Sequence, residues 1–480
     1  MPIRRQIYWF ALFLLPAIAN AQPAATKAAE TQHTPLPWPH GRLQPTPDGH
    51  YLQYADGTPF FWLGDTGWEL FHRLTLEEIK TYLDDRAAKG FTVIQAVVLA
   101  EFDGLRRPNR YGEVPLHNLD PTQPNEKYFT LVDSTFKMAQ DRGLFIGLLP
   151  TWGDKVTQMW GEGPVVFDSV NAYTYGRWLA NRYKDYPNIV WILGGDRPAL
   201  TKEKDWRPIW RRMAAGIIDA TDHKCLITYH PSGGPNSTSQ WIHNEPWLDI
   251  NMFQSGHGSG HDVPCWEYVT RDRVLKPTKP TLDAEPNYED HPVNPWPKWN
   301  PENGRFNDYD VRKQLYRSVF AGACGVTYGH HAVWQFMSAR EEAVNYPDRG
   351  WLNALQRPGA TQAGYLRKLI ESRPSGQRIP DTTLLAKGQG PAADHAEAFR
   401  GADYAMIYLP IGKPIIIYPK TLHAANVTAW WFNPRENKVE KIGSFPAAHQ
   451  LPFTPPSQGP GNDWVLVLDA ATHNYPAPGQ

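Results

Sequence analysis

Two carboxylates, Asp283 and Glu285, stand two residues apart in the stretch PTLDAEPNYE. The stretch reads as a short buried strand running into a turn, and in a strand that spacing puts both acids on one face. A third acid, Asp196, closes another apolar run, NIVWILGGD. Other side chains able to bind or move protons close similar runs: Asp65, Glu101 with Asp103, Trp152 with Asp154, His230, Gln254 with His257, and His330 with His331. Tyr288 follows in the turn after Glu285. These residues show neither a Ser-His-Asp order nor a phosphate-cradling glycine loop. Paired carboxylates beside hydrogen-bonding and stacking groups suit glycoside hydrolysis. One acid protonates the leaving oxygen, and the other attacks the anomeric carbon or activates water. Neither task needs a metal, so no metal or cofactor is expected.

Such a constellation needs elements that converge. Eight apolar runs alternate with helical patterns: residues 60–65, 92–100, 144–152, 188–196, 225–231, 249–256, 280–285 and 325–331. Each is apolar throughout rather than alternating, which implies parallel strands covered on both faces. Helical patterns fall near Leu76–Lys89, Tyr128–Arg142, Val170–Tyr186, Asp205–Asp222, Tyr268–Leu275, Asp310–Ala321 and Thr361–Ser372. The order predicts an α/β fold, a (β/α)8 TIM barrel over residues 41–375. The long connections (101–127, 153–169, 286–309 and 332–358) all follow strands, on the rim where such barrels place their sites. An open doubly wound sheet would want a glycine-rich phosphate turn after its first strand, and GDTGWE is a poor match.

Past Arg373 the helical period stops. Strand-like runs such as DYAMIYLPIGKPIIIYP, VTAWWFNP and DWVLVLD, parted by Pro- and Gly-rich turns, predict a small antiparallel β-sandwich over 376–480, its last ten residues a tail. At the other end, Arg4 and Arg5 precede an apolar run, Ile7 to Ile18, and then Ala19-Asn20-Ala21. That pattern predicts a signal peptide over 1–21, hence a secreted or periplasmic protein with no membrane association after cleavage. Residues 22–40 read as a disordered linker, and Asp56-Gly57 as a hairpin turn.

The 480 residues suffice for a large core, and a net charge of −1 with no basic stripe gives no support to nucleic-acid binding. Three cysteines are no disulfide framework; they read as buried small apolar residues. The 20 Trp and 22 Tyr include flat faces that could stack on sugars.

The stretches FFWLGDTGWELFHRLTLEEIKTYLDDRAAKGFTVIQAVVLAEFDGL, NIVWILGGDRP, INMFQSGH and PTLDAEPNYE resemble the apiosidase-like proteins of glycoside hydrolase family 140, over nearly the whole chain beyond the signal peptide. The resemblance implies a barrel of the large retaining glycosidase clan, in which the acid/base follows strand four and the nucleophile ends strand seven. Carried over, Asp196 is the acid/base and Glu285 the nucleophile. The clan usually has Asn-Glu where this chain has Gly195-Asp196, and the shorter Asp could widen the carboxylate pair. About 5–5.5 Å means retention and about 6.5–9.5 Å inversion. The substrate implied is a plant cell-wall oligosaccharide, with terminal apiose on pectic side chains removed by exo action. The alternatives are another pentose or deoxy-sugar, or a non-catalytic carbohydrate- or matrix-binding protein. The family's C-terminal domain carries a collagen-binding label that nothing in these residues supports physically.

The remaining candidates each have two readings. Asp65 either caps a turn or touches substrate, and Glu101 and Asp103 either bond sugar hydroxyls or are solvated loop charges. Trp152 is a stacking platform or part of the core rim. His230, Gln254, His257 and Tyr288 are expected to bind substrate, and one of His330 and His331 to face the site, entered here as His330. In HGSGHD, two glycines argue against a helical zinc pair at His257 and His261. Glu285 is expected to end strand seven, with Asp283 about 7 Å deeper on the same face, inside the barrel mouth.

Overall fold

The structure, a computed structural model, describes residues 38–258, 260–293 and 300–480. The expected signal peptide and nearly all of the linker lie outside these residues. Of the linker, Trp38 and His40 are described, and both are anchored: the Trp38 ring meets Phe145 edge-on at 5.0 Å, and His40 bonds Asp56. A short antiparallel meander (Leu43–Pro45, Leu52–Tyr54, Pro59–Phe60) turns at Asp56-Gly57, as the sequence predicts.

Eight parallel strands follow: β1 (Trp62–Thr66), β2 (Val93–Leu99), β3 (Phe145–Thr151), β4 (Ile189–Gly194), β5 (Ile227–His230), β6 (Asn251–Phe253), β7 (Thr281–Asp283) and β8 (Gly325–Tyr328). Their order around the sheet is β5-β4-β3-β2-β1-β8-β7-β6, a near-closed barrel. The seam between β5 and β6 is bridged through Asp249, whose N–H donates to the Ile227 carbonyl (2.8 Å) and whose carboxylate takes the Ile227 N–H (2.8 Å). Thr228 also donates its hydroxyl to the Ile250 carbonyl at 2.9 Å.

Side chains alternate across each strand. Val93 and Val97 join Phe145, Leu149, Val190, Ile192, Met252 and Leu282 inside the barrel. Ile94, Ala96 and Val98 pack outward against the helices. Both faces are therefore apolar, which is why the strands show no polar alternation. The helices are Leu76–Ala88, Glu126–Gln140, Ser169–Tyr183, Arg207–Thr221, Cys265–Arg273, Asp308–Phe320 and Pro358–Glu371. Between β5 and β6 there is only the single turn Ser239–Ile242.

The C-terminal part is a six-stranded antiparallel sheet, ordered Ile379–Pro380, Glu397–Arg400, Tyr404–Leu409, Trp464–Ala470, Asn426–Asn433, Lys438–Pro446, with a two-stranded ribbon, Ile415–Ile417 and Leu451–Phe453. Ala405, Ile407 and Leu409 face the ribbon, while Tyr404, Met406 and Tyr408 face the barrel. Tyr408 stacks on Tyr316, 4.8 Å between centroids, and Phe399 meets Phe320 edge-on at 4.8 Å. Trp431 lies in the ribbon-side core, and Trp430 bonds Asp469 on the barrel side with Lys441 over its ring. The expected tail is tied down: Tyr475 donates to Asp403 at 2.8 Å and lies under Arg373.

A buried fork joins the two parts. Arg312, on helix Asp308–Phe320, is 2% exposed and donates to both oxygens of Asp463 (2.8 and 2.7 Å). Removing one partner strands a buried charge, which costs about 3–5 kcal/mol. Asp463→Ala is expected to lose about that much stability by denaturant unfolding, and Arg312→Met with Asp463→Leu distinctly less, because the paired change leaves no fully buried lone charge: their other partners, Asp308 and Arg435, are 31% and 20% exposed.

Candidate active site

The site is built where β4 and β7 end. Gly194 (φ 87°), the last residue of β4, and the two residues after it, Gly195 (φ 95°) and Asp196 (φ 55°), lie in the left-handed region. A side chain at Gly194 would strike the His230 carbonyl, and one at Gly195 the backbone of Trp152 and Gly153. The double glycine thus lets the chain turn sharply against β3 and β5 and present Asp196 at the mouth. Asp196 keeps 23% of its side chain in solvent. It accepts from Trp160 Nε1 at 2.7 Å and from Arg197 Nη1 at 3.2 Å. Burial pushes its pKa up and the Glu285 charge adds to that; Arg197, Trp160 and His230 work in the other direction without cancelling it.

Glu285 lies two residues past the end of β7, not at its last residue. The bend is held by Gly256 N–H on the Glu285 carbonyl (2.8 Å) and by Gln95 Nε2 on the Ala284 carbonyl (3.2 Å). The carboxylate has His230 Nε2 at 3.2 Å and His257 Nε2 at 3.4 Å, and is 5% exposed. Burial alone would raise its pKa, but the two imidazoles outweigh burial and hold it at about 2. The Tyr288 hydroxyl faces Glu285 too, and Trp68 Nε1 donates to that hydroxyl at 3.1 Å. Trp152, 4% exposed, completes the wall, its ring 5.4 Å from Trp68 and 6.2 Å from His230.

The structure therefore gathers Asp196, Glu285, Trp152, His230, His257 and Tyr288. Gln254, 7% exposed, lies beside Gly233 and Gly256 in the loops flanking β5 and β6. Glu101 is part-buried near Asp196; burial, and then the charges of Glu69, Asp154 and Asp196, push its pKa well up despite Arg197. The shift favours the protonated carboxyl, the form able to donate to a sugar hydroxyl.

Three expectations are corrected, for Asp65, His330 and Asp283, while Asp103 fits the second of its two readings, a loop charge. Asp65 is fully buried and faces the helix layer, where it accepts from Tyr82 (2.6 Å) and Arg86 (2.5 Å). It cannot touch a ligand at the mouth. His330 is 1% exposed with both ring nitrogens engaged, one by the Ala332 N–H (3.0 Å) and the other by Asp290 (3.1 Å), so it caps the short helix that follows. Asp103 turns to Arg106 (2.9 Å) within its own loop. Asp283 is outside the barrel: Leu282 and Ala284 point in, and Asp283 lies between Ser255 (2.9 and 2.8 Å) and Ser318 (2.9 Å).

With only neutral donors around it, burial lifts the Asp283 pKa to about 7. A carboxyl whose folded pKa exceeds its unfolded value stabilises the fold fully at pH below the unfolded pKa. That contribution is lost as pH rises through the folded pKa. Asp283→Asn is thus expected to gain on the wild type as pH rises from about 4 to about 8, read as the difference in Tm across that range.

The residues of HGSGHD diverge. His257 turns to Glu285, His261 to Asp310 (2.9 Å) and Asp262 to Lys313 (2.6 Å). Sequence reasoning missed Trp68 and Trp160. Trp68 was signalled by its place just after β1, whereas Trp160 sits in a loop without periodicity.

A family model described as "Apiosidase-like, catalytic domain" matches residues 46–377, and one described as "Putative collagen-binding domain of a collagenase" matches 379–469. A solved structure described as a glycoside hydrolase is 34% identical, with a TM-score of 0.84 over 92% of this chain and 99% of its own. Another, described as a glycoside hydrolase family 5 protein from Bacteroides vulgatus ATCC 8482, is also 34% identical, with a TM-score of 0.84 over 92% of this chain and 96% of its own. No curated protein matches the chain.

Proposed function

Because the chain belongs to the apiosidase-like family of glycoside hydrolases, we propose that Asp196 and Glu285 are its acid/base and nucleophile, and that it removes a terminal sugar, apiose in the first instance, from side chains of plant pectin. The observation that carries this reading is the opposite tuning of the pair. Glu285 is held at about 2 and stays ionised, while Asp196 is pushed upward by burial and by Glu285 itself. Two carboxyls driven apart in this way suit a nucleophile and a general acid.

In the mechanism, the Glu285 carboxylate attacks the anomeric carbon as Asp196 gives its proton to the leaving oxygen. A covalent glycosyl-enzyme results. Asp196, now ionised, takes a proton from water, which attacks the same carbon and frees the sugar with retained configuration. His230, His257 and Tyr288 hold the nucleophile in place. Exo action is supported by the burial of Glu285, 5% exposed beside the Trp68, Trp152 and Tyr288 cluster, which suits one terminal ring better than a chain passing through.

The test is to incubate the protein with a panel of pectic oligosaccharides and identify any monosaccharide released. Apiose supports the reading. Another pentose or a deoxy-sugar keeps the chemistry and changes the substrate, and release of none favours a carbohydrate-binding protein. Export through the N-terminal segment is part of the same proposal. Recovery of the protein outside the cytoplasm, cleaved after Ala21, would support it.

A further inference from the structure

We propose that Trp160 is the platform of the leaving-group site, the ring on which the sugar departing from Asp196 lies. This rests on the catalytic reading above and deepens it by assigning a binding surface for the leaving group.

Three large apolar side chains of one rim loop stand about half in water: Met159 (48%), Trp160 (50%) and Val165 (51%). Among the described residues Trp160 is the one tryptophan that stands so far in water. The loop is nonetheless well fixed. Asp154, fully buried, accepts from Lys155 (2.7 Å) and from the Gly163 N–H (2.9 Å). The Lys155 carbonyl takes the Val166 N–H at 2.9 Å. Gly161 passes so close to Asp154 and Arg197 that no side chain would fit there.

Within this frame two parts of the indole are already used. Its Nε1 donates to Asp196 Oδ2 at 2.7 Å. One face rests on the Arg197 guanidinium, 4.3 Å from the ring centroid, and Arg197 is 1% exposed and donates to the Thr157 and Gln158 carbonyls. The solvent-exposed half is the remainder. A leaving oxygen that takes the Asp196 proton must come within about 2.6–3.2 Å of that carboxyl. The ring bearing this oxygen then lies within one ring's width of the indole edge, where the C–H face of a sugar can cover the aromatic face. Glu285 is on the other side of the scissile bond, so the terminal sugar does not compete for this surface.

The experiment compares the wild type, Trp160→Ala and Trp160→Phe on two substrates sharing the same terminal sugar: the pectic oligosaccharide that the wild type cleaves, and the glycosyl fluoride. Fluoride has no face to stack and needs little help from an acid. On the oligosaccharide Trp160→Ala is expected to lose ~10- to 100-fold in kcat/KM, mostly through KM, and on the fluoride less than ~3-fold. Trp160→Phe keeps a ring and is expected to recover most of the loss. Both variants remove an N–H that favours ionised Asp196, so the alkaline limb of kcat/KM should move to higher pH. Equal loss on both substrates, no loss on the oligosaccharide, or a Phe variant as impaired as the Ala variant would overturn the assignment. If the wild type cleaves nothing, the catalytic reading fails by itself, and calorimetry with the same oligosaccharides decides the platform. Binding weakened ~10-fold in Trp160→Ala supports it, and equal binding, or none by either protein, overturns it.

Discussion

Glu285→Gln is expected to lower kcat/KM by at least ~10⁴-fold while leaving the fold intact, because it removes the proposed nucleophile and little else. Gln keeps the size of the side chain, and its backbone anchors, the Gly256 N–H and the Gln95 bond to Ala284, do not involve the carboxylate. What is lost is the charge. The carboxylate is almost entirely withdrawn from water, yet His230 and His257, at 3.2 and 3.4 Å, hold its pKa at about 2. A neutral amide in the same place cannot form the glycosyl-enzyme. The change also reaches Asp196, whose pKa is raised in part by the Glu285 charge. Without that charge the acid gives up its proton at lower pH, so any residual activity should fall off earlier on the alkaline side. Activity within ~10-fold of wild type, in a variant with an unchanged thermal unfolding curve, would remove Glu285 from the nucleophile role.

The barrel was legible because both faces of its strands are buried. A run such as TVIQAVVLA cannot alternate with polar residues when the inner face packs on Phe145 and Leu149 and the outer face on helices. The same property hid the phase of each strand. In FFWLGD every residue before the acid is apolar or glycine, so nothing marks Leu63 and Asp65 as outward and Trp62 as inward. Asp65 accordingly read as a rim residue but forms a buried pair with Arg86. In PTLDAEP the parity argument correctly puts Asp283 and Glu285 on one face of an ideal strand. The strand stops at Asp283, however, and the bend that follows swings Glu285 to the mouth while Asp283 stays among Ser255 and Ser318. Residues at or just past a strand end, such as Asp196 and His230, were readable from position. Trp160 was not, because a loop side chain takes its place from tertiary contacts with Arg197 and Asp196.

Asp196→Ala should separate the two steps of the reaction. On a substrate whose leaving group is a sugar, loss of the general acid is expected to cost ~10²- to 10⁴-fold in kcat/KM, whereas on a glycosyl fluoride the first step should fall by less than ~10-fold. The second step is different, since water then lacks its base whatever the leaving group was. The glycosyl-enzyme should accumulate, giving a burst followed by slow turnover. Azide needs no base, and the space left by the missing carboxylate admits it, so azide should restore turnover on the fluoride. The configuration of the glycosyl azide then reports the stereochemistry. A retained azide means that Glu285 attacked first and azide second, and an inverted azide means a single displacement with Asp196 and Glu285 in other roles. The positive φ at Gly194, Gly195 and Asp196 bears directly on this outcome. It sets how far the backbone carries the Asp196 carboxyl, one methylene shorter than that of a Glu, toward Glu285. Retention would mean that this turn compensates for the missing methylene. Inversion would mean that it does not, and that a water fits between the two carboxyls.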